Sequence, residues 1–188
     1  AEMLAGALGI PAYDVQWVKA EHDHRARLIE DGHVDIVVAA LPSDGAAGEI
    51  VGLAGPYHVG EHRVLVPDGA GTLAEATVCA ADDVPDDAVG ELGDATVVRA
   101  SATACVERLY GGEVDAVYAP DLVLAGSLDG HFALLDEPRA EQAYSVGLAS
   151  GDEEFRSFLE EVIDAAIRDG RWAKDPTRGG LPGSGPAA

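Results

Sequence analysis

The chain has 188 residues, 47% of them hydrophobic, with 34 acidic residues against 12 basic ones and a formal charge of -22. That length suffices for one sizeable core or two small α/β lobes, and a negative field spread along the whole sequence repels nucleic acid and anionic lipid. No apolar run approaches the roughly 18 residues of a membrane-spanning helix, and there is neither a basic, apolar leader nor an initial methionine, so the expectation is a removed signal peptide or a piece of a longer chain.

Apolar residues at helical spacing over Glu2–Leu8, stopped by Gly9, predict a short helix. Val15, Gln16, Trp17 and Val18 predict a strand, and Asp23 is placed as the cap of a helix from about His24 to Glu30, with Leu28 and Ile29 inward and Gly32 as its stop. The near-continuous β-branched run Val34–Ala39 is what a parallel strand covered on both faces requires. Leu41–Glu49 reads as a polar, glycine-containing loop, or at most one irregular helical turn. Ile50–Leu53 and Glu61–Val66 read as two strands with Gly55, Pro56, Tyr57 and His58 turning between them. Pro67–Gly71 then interrupts the pattern, and a crossing between lobes is placed there.

Beyond it, strands are predicted at Thr77–Cys79 and Thr96–Val98, followed by a helix from Ser101 or Thr103 to Tyr110 that breaks at Gly111 and Gly112. Val114–Tyr118 is again a buried-strand pattern, with a short helix over Asp121–Leu128 and a strand at Phe132–Leu135. Gln142–Ala149 alternates as a strand. Asp152 is a cap for an amphipathic helix through Ile167 that ends at Gly170, with Trp172 expected to plug the core. The glycine, proline and serine content from Pro176 onward predicts a loose tail.

One joint occurs twice. Helix, Gly32, His33, Val34, Asp35 and an apolar strand are answered eighty residues later by helix, Gly112, Glu113, Val114, Asp115 and an apolar strand. The repeat predicts two similarly built α/β units, with Asp35 and Asp115 as structural residues at strand entrances. Two cysteines, Cys79 and Cys105, fall in a predicted strand and a predicted helix; either they form a bridge, worth roughly 3.5 kcal/mol on the chain-entropy estimate, or they are two separate buried thiols.

Several chemistries lack support. Two thiols do not make a zinc site, and strand and turn character separates His58 from His62. His22 and His24, beside Glu21 and Asp23, read as a solvated face. No phosphate-binding Gly-x-x-x-x-Gly-Lys and no serine or cysteine nucleophile motif occurs. No enzymatic activity, metal or cofactor is expected.

Four blocks, in order, carry a resemblance: Arg25–Val38; Ala54, Gly55, Pro56, Tyr57 with the strand to Val66; Cys105–Val117 with Leu124, Ala125 and Gly126; and Tyr144–Leu148 with Gly151, Asp152, Phe155 and Asp169–Trp172. Together they resemble the bacterial extracellular solute-binding proteins of family 3, the amino-acid receptors of ABC importers, and most closely their actinobacterial glutamate-binding branch, whose disulfide Cys79 and Cys105 match. The resemblance implies a periplasmic-binding-protein-like type II α/β fold of two lobes, the first incomplete at the N-terminus because the family's opening strand has no counterpart here. It assigns 1–66 and 142–175 to lobe one, 67–141 to lobe two and 176–188 to the tail. It further implies a place outside the cytoplasmic membrane, with a lipid anchor, if any, on a segment not present here. The implied partners are a small solute, amino acid or cation, and an ABC permease or larger receptor chain.

An amino acid needs donors for its carboxylate and an acceptor for its ammonium. Carried over position by position, the family's threonine and arginine after the first Val-Asp strand fall at Asp44 and Ala47, its anion-binding turn falls near Val84, and its ammonium-binding aspartate falls at Pro120, one residue before Asp121. No arginine lies between Leu28 and His62, Pro85 offers no N–H, and Asp82, Asp83, Asp86 and Asp87 surround the turn with negative charge. The expectation is a solute-binding-type domain with a degenerate ligand site and an assembly or sensing role; the alternative is a working receptor for an amino acid or a cationic solute.

Overall fold

The computed structural model describes residues 1–20, 24–43, 46–128, 130–135 and 140–172. They form two compact units, one from Ala1–Val59 with the described chain from Ala143 on, the other from Gly60–Gln142. In chain order the elements are α1 (Glu2–Ala7), α2 (Arg25–Glu30), β1 (Ile36–Pro42), β2 (Gly52–Pro67), β3 (Thr77–Ala81), α3 (Asp86–Gly90), β4 (Thr96–Ala100), α4 (Ala102–Tyr110), β5 (Ala116–Pro120), α5 (Asp121–Leu124), β6 (Phe132–Leu134), β7 (Glu141–Leu148) and α6 (Glu153–Arg168).

In the first unit β1, expected as a parallel strand, pairs antiparallel with β7 among the described residues, Ile36 opposite Leu148 and Val37 opposite Gly147; its apolar run reports burial on both faces and not the direction of its neighbour. Both faces of β1 are covered, as its continuous β-branched sequence requires. Ile36 and Val38 pack against the core of Leu4, Val146, Leu148, Leu159 and Ile163, while Val37 and Leu41 pack with Ile29 and Val51 on the other side. Glycine at 147 follows from that packing, because a Cβ there would lie 2.8 Å from Leu41 Cδ2 and 2.9 Å from Ile29 Cδ1. Asp152 caps α6 by accepting the Phe155 N–H at 3.0 Å. Trp172 does plug this unit: its indole N–H donates to the Tyr57 carbonyl and its ring stacks on buried His58, which stacks in turn on Tyr144.

Two further local expectations change. The residues expected to turn at 55–58 instead continue β2, which runs unbroken for 16 residues; the Gly55–Pro56 peptide is cis, and Gly55 is needed because a Cβ would meet the Tyr57 nitrogen at 2.9 Å. Val15–Val18, expected as a strand, joins no ladder, and Trp17 and Val18 are 67% and 51% exposed. A strand needs a neighbour for its N–H and C=O groups, and none flanks this segment among the described residues. Asp23 and the tail lie outside the described residues.

The second unit contains β3 parallel to both β4 and β5, with β2 antiparallel to β5 and to β6. Its core includes Val64, Leu65, Val66, Val78, Val117, Tyr118 and Leu124. Ser101 caps α4 by accepting the Ala104 N–H at 3.3 Å. Of the two alternatives for the cysteines, the structure has the disulfide, joining Cys79 of β3 to Cys105 of α4 across 5.4 Å between Cα atoms.

The repeated joint is the same in detail. Gly32 and Gly112 both have φ +69. The Gly32 N–H donates to Ile29 O and His33 to Leu28 O, just as Gly112 donates to Leu109 O and Glu113 to Arg108 O. Asp115 then ties β5 to β3, donating its N–H to Thr77 O at 2.9 Å and accepting the Thr77 N–H on Oδ2 at 2.8 Å. That is the structural role expected of it.

Candidate functional site

In an open α/β sheet, ligands gather at the carboxyl ends of the parallel strands, where loops and helix starts present unpaired backbone groups. In the second unit β4, β3 and β5 end together at Ser101, at the loop Asp82–Pro85 and at the corner Pro120–Asp121. Antiparallel β2 brings its own polar residues to this edge, with His62 opposite Pro120 and Arg63 opposite Ala119.

Asp121 is the centre of the corner. It is 1% exposed, and its Oδ1 accepts the Leu122 N–H at 2.6 Å. Burial raises its pKa above the ordinary carboxylate value of 3.8, and the nearby Glu61 carboxylate raises it further, while the N–H groups of Leu122 and Glu61 and the charge of Arg63 pull it back. Arg63 is itself engaged: it pairs with Glu61 at 3.2 Å and donates to the Leu135 carbonyl at 3.0 Å. His62 Nδ1 lies 3.1 Å from the Ala140 carbonyl, and its ring lies against Tyr118.

The loop after β3 is closed by the chain's own groups. Arg99 on β4 donates to the carbonyls of Val84 at 2.6 Å and Ala81 at 3.1 Å and to Asp86 Oδ1 at 2.5 Å. Asp87 Oδ1 accepts the Ala88 N–H at the start of α3 at 2.9 Å. A side-chain carboxylate therefore already occupies this amide. Val84 is buried beneath this arrangement.

Of the residues singled out from sequence, Val84, Pro120 and Asp121 share the edge just described. Pro120 ends β5 and precedes α5, and Asp121, not Pro120, contributes the carboxylate. Ala47 lies in a 3-10 turn, Ala46–Glu49, of the first unit, and Asp44 lies outside the described residues. Sequence reasoning missed Glu61, Arg63 and Arg99. The signal was there: Glu61-His62-Arg63 is a polar triplet inside an otherwise apolar run, and Arg99 interrupts the strand Thr96–Ala100.

The model of the bacterial extracellular solute-binding proteins, family 3, matches residues 1–175. The chain belongs to this family. Among curated relatives, the Glutamate-binding protein GluB of Corynebacterium glutamicum is 24% identical over 178 residues, 85% of this chain and 60% of the relative; the GluB of Corynebacterium efficiens matches to the same extent. The chain thus spans about 60% of the length of the curated relatives it matches. An amino acid ABC transporter substrate-binding protein from Streptococcus pneumoniae, bound to L-arginine, superimposes with a TM-score of 0.76 at 18% identity, covering 92% of this chain and 77% of that one. An ancestral arginine-binding protein bound to glutamine gives 0.73 at 16% identity, covering 92% and 81%. The fold is the periplasmic-binding-protein-like type II fold, and the family is one of solute-binding proteins rather than enzymes.

Proposed function

We propose that this family 3 domain acts outside the cytoplasmic membrane as an assembly or sensing module whose ligand edge does not take a free amino acid in the usual way. One observation carries the reading. In the second unit the groups that would receive a carboxylate already serve the chain itself, with Arg99 holding loop carbonyls and Asp86, Arg63 holding Glu61 and Leu135, and the Ala88 amide bound by Asp87. A ligand carboxylate would have to displace these contacts and approach Asp86 and Asp87, at a cost that a charge-assisted hydrogen bond of about 1.5–3 kcal/mol does not offset. The partner of such a module is an ABC permease or a larger receptor chain rather than a solute alone.

A second reading rests on Asp121 and Glu61. Two carboxyl groups against one guanidinium leave this buried corner with an excess of negative charge when both ionise, which suits an ammonium group and makes the domain a receptor for a cationic solute. Isothermal calorimetry at neutral pH with glutamate, arginine and putrescine separates the readings. No heat with any of the three, in protein with a cooperative unfolding transition, is the expected result. Micromolar binding of glutamate overturns the first reading. Selective binding of arginine or putrescine that is lost in Asp121→Asn establishes the second.

A further inference from the structure

The second unit buries an arginine. Arg63 precedes Val64, Leu65 and Val66, three residues of the apolar core, and its side chain is 6% exposed against 14% for that of Glu61. A guanidinium taken out of water is costly unless a partner answers it. Alternation along β2 puts Glu61 and Arg63 on one face. The register that sets His62 opposite Pro120 and Arg63 opposite Ala119 carries that face on to Asp121, which is 1% exposed. Opposite Arg63, the single methyl of Ala119 leaves room for a guanidinium. Burial raises the pKa of Asp121 and the charge of Arg63 lowers it, so the two side chains sense each other.

The corner thus joins the carboxyl groups of Glu61 and Asp121 and the Leu135 carbonyl to one cation, all drawn from the chain itself. That cation fits incompletely. A guanidinium carries several N–H donors in a planar fork, which matches a carboxylate through two parallel bonds. Arg63 instead gives Nη1 to Glu61 at 3.2 Å and Nη2 to the Leu135 carbonyl at 3.0 Å, and among the described residues its buried Nε–H has no hydrogen-bond partner. A side chain tethered to the β2 backbone is not free to centre its fork on two carboxyl groups, whereas a free cation of the same chemistry is.

We propose that this corner is a binding site for a guanidinium or alkylammonium cation, and that Arg63 occupies it as a tethered ligand, closing it to cations from outside. The inference rests on the first reading above, in which the polar groups of the second unit serve the chain itself, and extends it from the carboxylate of a solute to its cationic group.

The test vacates the site in the 188-residue chain with Arg63→Ala and refills it with methylguanidinium chloride, against N-methylurea as the neutral shape and sodium chloride at matched ionic strength. With Glu61 and Asp121 deprived of their cation, the unfolding temperature of Arg63→Ala should fall by roughly 10 °C. Methylguanidinium should raise it saturably, by roughly 3–5 °C at about ten times its dissociation constant, where the folded-to-unfolded ratio gains about tenfold. The two control solutes should not, and the parent chain, its site filled, should respond to none of them. Glu61→Gln/Arg63→Ala should be more stable than Arg63→Ala alone and should lose the response. Where Arg63→Ala does not fold unaided, the same comparison is read as refolding yield, which methylguanidinium alone should restore. Arg63→Ala as stable as the parent chain overturns the proposal, and so does a response that is absent, matched by N-methylurea, or kept in the double variant. An equal rise in the parent chain also overturns it, because the site would then stand open beside Arg63. Micromolar binding of glutamate to the parent chain would sink the first reading whatever Arg63→Ala does, so the two fail separately.

Discussion

Opening the Cys79–Cys105 bridge isolates one contribution to the second unit. The half-cystines are 26 residues apart, so in the chain-entropy account the cross-link removes about 3.5 kcal/mol of freedom from the unfolded chain. Domains of this kind are held by about 5–15 kcal/mol in total, so reduction should leave the unit marginal rather than unfolded. Both sulfurs are fully buried in the core, and two thiols fill nearly the same space, so little packing is lost and the chain term dominates. The assay is urea unfolding with and without a thiol reductant, followed by amide exchange in β3 and β5. With a slope of about 1.5 kcal/mol/M, the midpoint should fall by about 2 M. A fall under about 0.5 M would refute the reasoning, because it would mean that the reduced, unfolded chain keeps β3 and α4 together or that the native bridge is strained enough to cancel its benefit.

Gly147→Ala should cost about 1–3 kcal/mol, since the new methyl group would enter the 2.8 Å and 2.9 Å gaps to Leu41 and Ile29 inside a packed cluster; denaturant titration checks it, and a neutral result would mean that those two side chains can shift freely. For Asp121 the sign follows from its raised pKa: the carboxyl's contribution to stability is fully present below the unfolded value of 3.8 and is lost as pH rises through the higher folded value. Asp121→Asn keeps an acceptor for Leu122 and does not titrate. It should therefore match the parent chain in acid and gain on it towards neutral pH, as read from paired urea titrations across pH; a variant less stable at neutral pH would show that the N–H groups of Leu122 and Glu61 and the charge of Arg63 outweigh burial.

The parts of the fold that were legible in the sequence are those set by neighbours along the chain. Gly32 and Gly112, Ser101 and Asp152 end or start helices through contacts within a few residues, and the structure reproduces each of them. Strand status is less local. Val15–Val18 has the composition of a strand and lacks only a partner, whereas Gly55–His58 has the composition of a turn and lies within a strand, because a proline that donates no N–H is tolerated where the ladder does not need one. Composition reports what a segment can do; the ladder depends on what lies beside it.

The same distinction governs the candidate site. Asp121 was reachable from sequence because it follows a recognisable strand by a fixed step, but its chemistry was not, since Glu61 and Arg63 reach it through the β2–β5 register, some sixty residues away along the chain. Arg99 was overlooked for the same reason: its partners at Ala81, Val84 and Asp86 come together only when β4 lies parallel to β3. The acidic residues around Val84 suggested a site that merely repels anions. In the structure one of those acids occupies an amide and another holds the arginine, so on the function proposed above neutralising their charge alone would not open the loop to a carboxylate. Both contacts would have to be released together, and the α3 loop that they hold would have to find other support.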